Sequence, residues 1–132
     1  MSRLHIEIVT PNGLKFAGEG DSCIAPAPDG IFQILPDHAP LISLLSVGEI
    51  RFLFENKIRY MATSGGFLEV KANYVSIMVE TAEWAEDITI DRAREAEKRA
   101  RERLAHKEGI DAARAELALA RALNRIKVAS HR

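Results

Sequence analysis

The sequence predicts an α+β chain in two parts, a strand-rich antiparallel body followed by an antiparallel two-helix hairpin, and three observations carry that reading. Apolar residues alternate with period two in the body, clean in Leu4, Ile6 and Ile8 against His5 and Glu7, and give way between Thr81 and Asp91 to helical spacing. No proline follows Pro40, and after Gly66 the only glycine is Gly109. The charge changes sign at the same place: residues 1–87 hold twelve acidic against six basic groups, and residues 88–132 hold twelve basic against seven acidic. The formal net charge of −1 therefore conceals a dipolar chain, an asymmetry that points to partners rather than to fold. The division falls into residues 1–84 and 85–132.

At 132 residues and 47% hydrophobic, the chain suffices for one modest core, which the first 80 residues can hold by themselves. Cys23 is the only cysteine, so an intramolecular disulfide and a cysteine-cluster zinc site are both excluded; a lone thiol in a strand-like run reads as packing and fits a reducing compartment. No run approaches the roughly 18 apolar residues of a membrane span. Residues 1–10 alternate like a strand, with no basic start leading into an apolar stretch, so a soluble cytosolic protein is expected.

The first strand ends at Pro11-Asn12-Gly13, a turn with a residue ready for positive φ. Ser22 to Ala25 and Ile31 to Leu35 flank the turn Pro28-Asp29-Gly30, and Pro36 and Pro40 stop the second of them. Ile50, Phe52 and Phe54 return through Glu55-Asn56 to Ile58, Tyr60 and Ala62. Gly65-Gly66 reads as a further hairpin turn before Phe67 to Val70, and Tyr74 to Thr81 is the last strand expected. Seven or more short strands with frequent turns predict a small sandwich or barrel, because closure hides strand edges.

In the tail, Thr89 suits an N-cap and Asp91 complements the helix dipole, so helix one runs from about Ile90 to Lys107. Gly109 suits a left-handed C-terminal cap, and Asp111 starts a second helix that runs to about Val128. Ala93, Ala96, Ala100 and Leu104 form a stripe on helix one; Ala112, Ala115, Leu119, Leu123 and Ile126 form its counterpart on helix two. Alanine seams bury little area, so at ~25 cal/mol per Å² such a hairpin gains less from packing than a leucine-rich one. A weakly held hairpin is one that opens.

Arg121 and Arg125 are i,i+4 neighbours with no acidic residue three or four positions from either, a spacing that costs roughly 0.2–0.5 kcal/mol. Arg92 and Arg99, by contrast, have Glu95 within reach. Either the two arginines form a solvated face, or something anionic answers them: a phosphate-bearing ligand between the helices or an acidic protein surface.

Several collinear strings carry a family resemblance. Ile34-Leu35-Pro36-Asp37-His38-Ala39-Pro40-Leu41, Ser64-Gly65-Gly66-Phe67-Leu68-Glu69-Val70, Ala82-Glu83-Trp84-Ala85-Glu86-Asp87-Ile88 and Ala115-Glu116-Leu117-Ala118-Leu119-Ala120-Arg121-Ala122 together span nearly the whole chain from Leu4 to Val128. In them the sequence resembles the epsilon subunit of bacterial F-type ATP synthase. The resemblance implies a flattened β-sandwich of about ten strands ahead of the helical hairpin, and a non-catalytic rotor subunit of the central stalk that couples proton flow to ATP synthesis. It implies a sandwich that grips the gamma subunit and touches the ring of c subunits, with Asp29, Ile31 and His38 as interface candidates. It also implies a hairpin that lies folded on the sandwich or extends toward the catalytic alpha and beta subunits, where it inhibits hydrolysis. Each helix of about 18 residues spans ~27 Å, so opening roughly doubles the reach. The location implied is the cytoplasmic face of the bacterial plasma membrane, peripheral, with a plastid left open.

Some members of that family hold ATP on the folded hairpin as a regulatory ligand. Position by position, Ile88, Arg92 and Ala93 match their Ile-Asp-x-x-Arg-Ala motif, Glu83 matches an upstream acidic contact, and Arg121 and Arg125 match the helix-two arginines, with Arg99 as a further candidate. Thr89 stands where the motif has aspartate; it preserves the N-cap but brings no carboxylate, which implies weaker ATP binding. Gln33 and Asp37 stand where the family commonly has glycine, which implies altered geometry in that loop.

The remaining candidates read blandly. His38 lies between Pro36 and Pro40 with no nucleophile or paired carboxylate in a motif relationship, so it reads as a residue fixing its loop rather than a catalytic base. The four histidines lack metal-ligand spacing, and no required cofactor or metal is expected. Gly65-Gly66 lacks the Gly-Lys-Ser/Thr of a phosphate loop. Trp84, at the junction, reads as a hydrophobic latch between sandwich and hairpin. Two other functions compete: a free-standing ATP-binding sensor, which needs no apolar partner-facing surface on its body, and an RNA-binding module, against which the interleaved acids and absent tail aromatics argue.

Overall fold

The computed structural model describes residues 3–106 and 112–131. Ten strands come first: β1 (Leu4–Thr10), β2 (Gly13–Gly20), β3 (Ser22–Ala27), β4 (Gly30–Ile34), β5 (Leu41–Leu45), β6 (Gly48–Phe54), β7 (Lys57–Thr63), β8 (Gly66–Lys71), β9 (Tyr74–Val79) and β10 (Ala82–Trp84). A single 3-10 turn (Ala85–Asp87) leads into α1 (Ile90–His106), and α2 (Ala112–Ala129) follows. The strands form two five-stranded sheets, ordered β2-β1-β9-β8-β5 and β10-β7-β6-β3-β4. The fold is the sandwich, not the barrel. One pairing departs from the antiparallel expectation: β1 lies parallel to β9, with Ile6 opposite Val75 and Ile8 opposite Ile77.

Three strands lie where alternation gives no sign of them. β2 carries two terminal glycines and is exposed along most of its length, β5 (Leu-Ile-Ser-Leu-Leu) is apolar on both faces, and β10 has three residues. The long last strand expected to Thr81 instead ends at Val79, and the chain crosses to the second sheet as β10. Gly65-Gly66 is likewise no hairpin turn but a corner between sheets, because β7 pairs in one sheet and β8 in the other. Both glycines have positive φ, 104° and 154°, and a Cβ on Gly66 would strike the carbonyl oxygen of Met78.

The core lies between the sheets. Leu4, Ile6, Ile8, Leu68 and Ile77 from one sheet meet Cys23, Ile34, Ile50, Phe52 and Met61 from the other, all fully buried. Burial pushes the Cys23 thiol up to about 12, so it packs as a small apolar group. Trp84 belongs to this core as well, a correction to its reading as a latch to the hairpin. On β10 the inward residues are Ala82 and Trp84, and the indole meets Phe16 and Phe52 edge-on at centroid distances of 5.3 and 5.7 Å, with the Arg59 guanidinium 3.7 Å from its own centroid.

The loop between β4 and β5 keeps the backbone form a glycine would have. Asp37 has φ 65°, its amide donates to Asn73 Oδ1 at 2.6 Å, and Asn73 Nδ2 donates back to Asp37 Oδ1 at 3.2 Å. This clasp stabilises left-handed geometry at a residue other than glycine. His38 donates from Nδ1 to its neighbour Ala39's carbonyl at 2.7 Å and from its amide to Leu35's carbonyl at 3.2 Å, so it does fix its loop.

The hairpin lies on the outer face of the second sheet, where α2 packs against β7 and β6 and α1 packs against α2. The α1 stripe is as expected, with Ala93 and Ala100 buried and Ala96 and Leu104 half-buried. Of the α2 stripe, Ala115 is buried and Leu119 and Ile126 are half-buried, whereas Ala112 and Leu123 are exposed and the smaller Ala122, Val128 and Ala129 are buried besides. Small side chains let the helix approach both α1 and the sheet, a demand that pattern along one helix does not reveal. The expected end of α1 at Lys107 and the caps Gly109 and Asp111 lie outside the described residues.

Gly66→Ala is expected to destabilise the sandwich by about 3 kcal/mol, from positive-φ strain together with the carbonyl clash, measured by urea unfolding. Cys23 is expected to resist thiol reagents in the native protein and to react at the rate of unfolding, as timed labelling across a urea series would report.

Candidate functional site

Alternation on β10 and β7 decides what faces the hairpin. With Trp84 and Ala82 inward, Glu83 points outward; with Met61 inward, Tyr60 and Ala62 point outward. On α2 the turn 121–125 passes over this surface. The result is a cleft of about 300 Å³ between sheet and hairpin, with a floor of Ala62 and Thr63, a wall of Ala96, Ala118 and Ala122, and polar groups from Glu83, Arg121, Asn124 and Arg125.

Glu83 answers Arg125. The guanidinium places Nε 2.7 Å from Glu83 Oε1 and donates from Nη2 to Oε2 at 3.0 Å, both side chains being about one-third exposed. Asn124 donates its amide to the Gly48 carbonyl at 2.8 Å, which ties the same turn of α2 to the start of β6. Arg121 lines the cleft, is exposed, and has no ion-pair partner among the described residues. One arginine of the pair therefore has an internal carboxylate and the other is open to an anion.

The remaining candidates go elsewhere. Arg92 and Arg99 are exposed on α1 and do not line the cleft. Ile88 is 1% exposed, packed with Ala62, Ala85, Val128 and Ala129 in a small apolar cluster that Tyr60 and Ile90 flank. That cluster is the latch between sandwich and hairpin, and it leaves Ile88 no side-chain surface for a ligand. Thr89 directly precedes α1, and its carbonyl accepts the Ala93 amide at 3.1 Å. Asp29 and Ile31 lie in and beside the β3–β4 turn, exposed, while His38 lies past the far end of β4, so these three do not share one end of the sandwich.

A second surface lies on the outer face of the other sheet, away from the hairpin. The strand register places Leu14, Val9, Met78, Phe67 and Leu44 side by side in a row across all five strands. Each is between 37% and 63% exposed, and Ile42 adds a further exposed apolar group on the edge strand. A contiguous apolar band of this kind marks an interaction site rather than scattered surface residues. Sequence reading passed over it because its members come from five strands and become neighbours only through register. Asn124 was missed for the same reason, since its partner Gly48 lies far along the chain.

At the junction, Arg59 meets the Glu86 carboxylate at 2.5 Å, and this hydrogen bond holds Glu86 below its ordinary carboxylate value. No described helix is long and apolar enough to cross a membrane.

Comparison with known proteins gives a concordant result. Residues 3–85 match the family described as ATP synthase, Delta/Epsilon chain, beta-sandwich domain, and residues 86–130 match its long alpha-helix domain. Two curated bacterial relatives are named ATP synthase epsilon chain: one from Nitratidesulfovibrio vulgaris, 48% identical over 95% of this chain and 94% of its own, and one from Desulfitobacterium hafniense, 46% identical over 94% of each. In fold, the chain is similar to one in the Euglena gracilis mitochondrial ATP synthase complex of OSCP, F1 and c-ring, with TM-score 0.79 and 18% identity, covering 100% of this chain and 83% of that one.

Glu86 generates a pH prediction. Its value is lowered in the folded state, so its contribution to stability is present above the ordinary carboxylate value and is lost as pH falls through the lowered one. The side chain is half exposed, so that contribution stays below about 1 kcal/mol. Melting curves of Glu86→Gln and the parent should differ most near neutrality and converge in acid; a gap independent of pH would refute the assignment.

Proposed function

The chain belongs to the family of ATP synthase epsilon chains, and from that membership we propose that it works as a non-catalytic central-stalk subunit whose sandwich docks on gamma and whose hairpin regulates hydrolysis. The observation that carries this reading is the exposed apolar row Leu14, Val9, Met78, Phe67 and Leu44 on the sheet face opposite the hairpin. A free-standing sensor has no use for such a surface, whereas a rotor subunit gripped by a partner does. Gamma covers this face, and the exposed turns of the sandwich, among them Asp29 and Ile31, meet the c ring. The subunit is thereby held at the cytoplasmic face of the membrane through the complex and takes part in coupling proton flow to ATP synthesis.

The regulatory part rests on how the hairpin is attached. The sandwich closes its own core without the helices, and the hairpin adds only a small latch and an alanine seam. It can therefore leave without opening the core, and once extended its basic arginines face the alpha and beta subunits, where it inhibits hydrolysis.

MgATP is the regulatory ligand of the folded state. Support comes from the cleft, whose alanine walls suit a flat base and whose Arg121 and Arg125 suit phosphates; its volume lies at the lower end of the roughly 300–1,000 Å³ of ligand pockets. Of the residues carried over from the family, Glu83, Arg121 and Arg125 line the cleft, so ATP is bound by those three without Arg92, Arg99 or the Ile88 side chain. No cofactor is required.

Calorimetric titration with MgATP should show saturable binding that Arg121→Ala with Arg125→Ala abolishes; absence of heat at millimolar nucleotide in the parent would remove ATP from the function. Phe67→Glu with Met78→Glu should weaken association with the gamma subunit at least about tenfold, read by co-purification and surface binding, while leaving MgATP binding unchanged.

A further inference from the structure

The last turn of the hairpin makes a polar contact that neither the cleft nor the apolar latch uses. Glu49, on the outer face of β6, has a side chain only 8% exposed. One of its oxygens, Oε2, accepts from Arg51 Nε at 3.0 Å, and the other, Oε1, lies 2.6 Å from His131 Nε2. The His131 ring in turn lies flat on Tyr60, with centroids 4.0 Å apart and planes 9° from parallel. Its amide donates to the Val128 carbonyl at 3.0 Å, so the imidazole is fixed to the turn that carries Val128 and Ala129 into the latch. A buried carboxylate is costly unless paired; Oε1 is buried and has no hydrogen bond of good geometry among the described residues, so the imidazole 2.6 Å away is the group that answers it, as an ion pair when His131 is protonated.

We propose that Glu49, Tyr60 and His131 form a C-terminal clasp that holds the hairpin to the sandwich independently of any ligand in the cleft. The proposal rests on the reading that the hairpin is mobile, and it adds where release begins. His131 shares a groove with Tyr60, Ala85 and Glu86, so the end of the hairpin is pinned beside the junction from which the hairpin starts. The start is tied to β10 covalently and to β7 by Arg59–Glu86; the end is tied only by side chains. A hairpin swinging out about residues 85–89 must therefore first lift His131 off Tyr60. The cleft shares no residue with this groove. An anion entering the cleft competes with Glu83 for Arg125 and leaves Glu49–His131 intact, so the clasp is a polar attachment that a ligand in the cleft does not reach.

The test uses the full chain with spin labels at Ser76→Cys on the free sheet and Arg103→Cys on α1; buried Cys23 stays unlabelled. Distance distributions without nucleotide give the undocked fraction. Glu49→Gln and His131→Ala should each raise that fraction about three- to tenfold, and the double variant should exceed neither by more than a little, because both changes break one contact. The sandwich should melt as in the parent, since neither residue belongs to its core. An undocked fraction unchanged in both single variants, or strictly additive effects in the double, overturns the clasp. Val128→Asp, which places a charge in the apolar latch, separates the two ideas: opening there without opening in the clasp variants rejects the clasp alone, and a hairpin that stays docked even with Val128→Asp rejects the mobile hairpin itself.

Discussion

The second sheet is apolar on both faces along β7, and the rest of the molecule depends on that constraint. Met61 points into the sandwich and Ala62 points out, so the strand that closes the main core also founds the small cluster of Ala85, Ile88, Val128 and Ala129. A sheet with one wet face needs no cover; a sheet with an apolar outer patch does, and the hairpin supplies it. Because β10 continues the same face, Glu83 points outward beside Ala62 and meets Arg125. The cleft is what remains where alanines are too small to fill the space between them.

Small residues set both the closeness and the weakness of this attachment. Ala93, Ala100, Ala115 and Ala122 let two helices and a sheet approach, yet each buries little area, and area is what stabilises an apolar contact. Polar groups carry correspondingly more of the specificity: Asn124 to the Gly48 carbonyl, Arg125 to Glu83, His131 to Glu49. Each such contact adds little net stability, because water competes for the same groups. The main core, by contrast, is closed by fully buried branched and aromatic side chains and has no share in that competition.

The two outer faces divide the work. One carries the hairpin and its cleft, the other the apolar row from Leu14 to Leu44, so the row lies on the sheet face that the helices do not cover. Asp37 and Asn73 secure the loop at one end of this body through paired left-handed residues, a stiffness that glycine would not provide.

Much of this was written in the chain. Alternation in β1, β6, β7 and β9, the turn residues at 11–13 and 28–30, the helical spacing after Asp91 and the sign of the charge determined a strand body with a basic helical pair, because each depends on neighbours within one turn or one strand. The collinear strings from Ile34 to Ala122 determined the family. Tertiary structure decided the rest. It set β1 parallel to β9, sent the chain across sheets at Gly65-Gly66, took Trp84 into the core, turned α2 onto Ala122 instead of Leu123, and separated Ile88, Arg92 and Arg99 from the cleft. It also joined Glu49 to His131 and five exposed apolar residues into one row. These are distances between residues far apart along the chain, set by register and by the side-chain volume available between packed layers, and local periodicity carries no information about either.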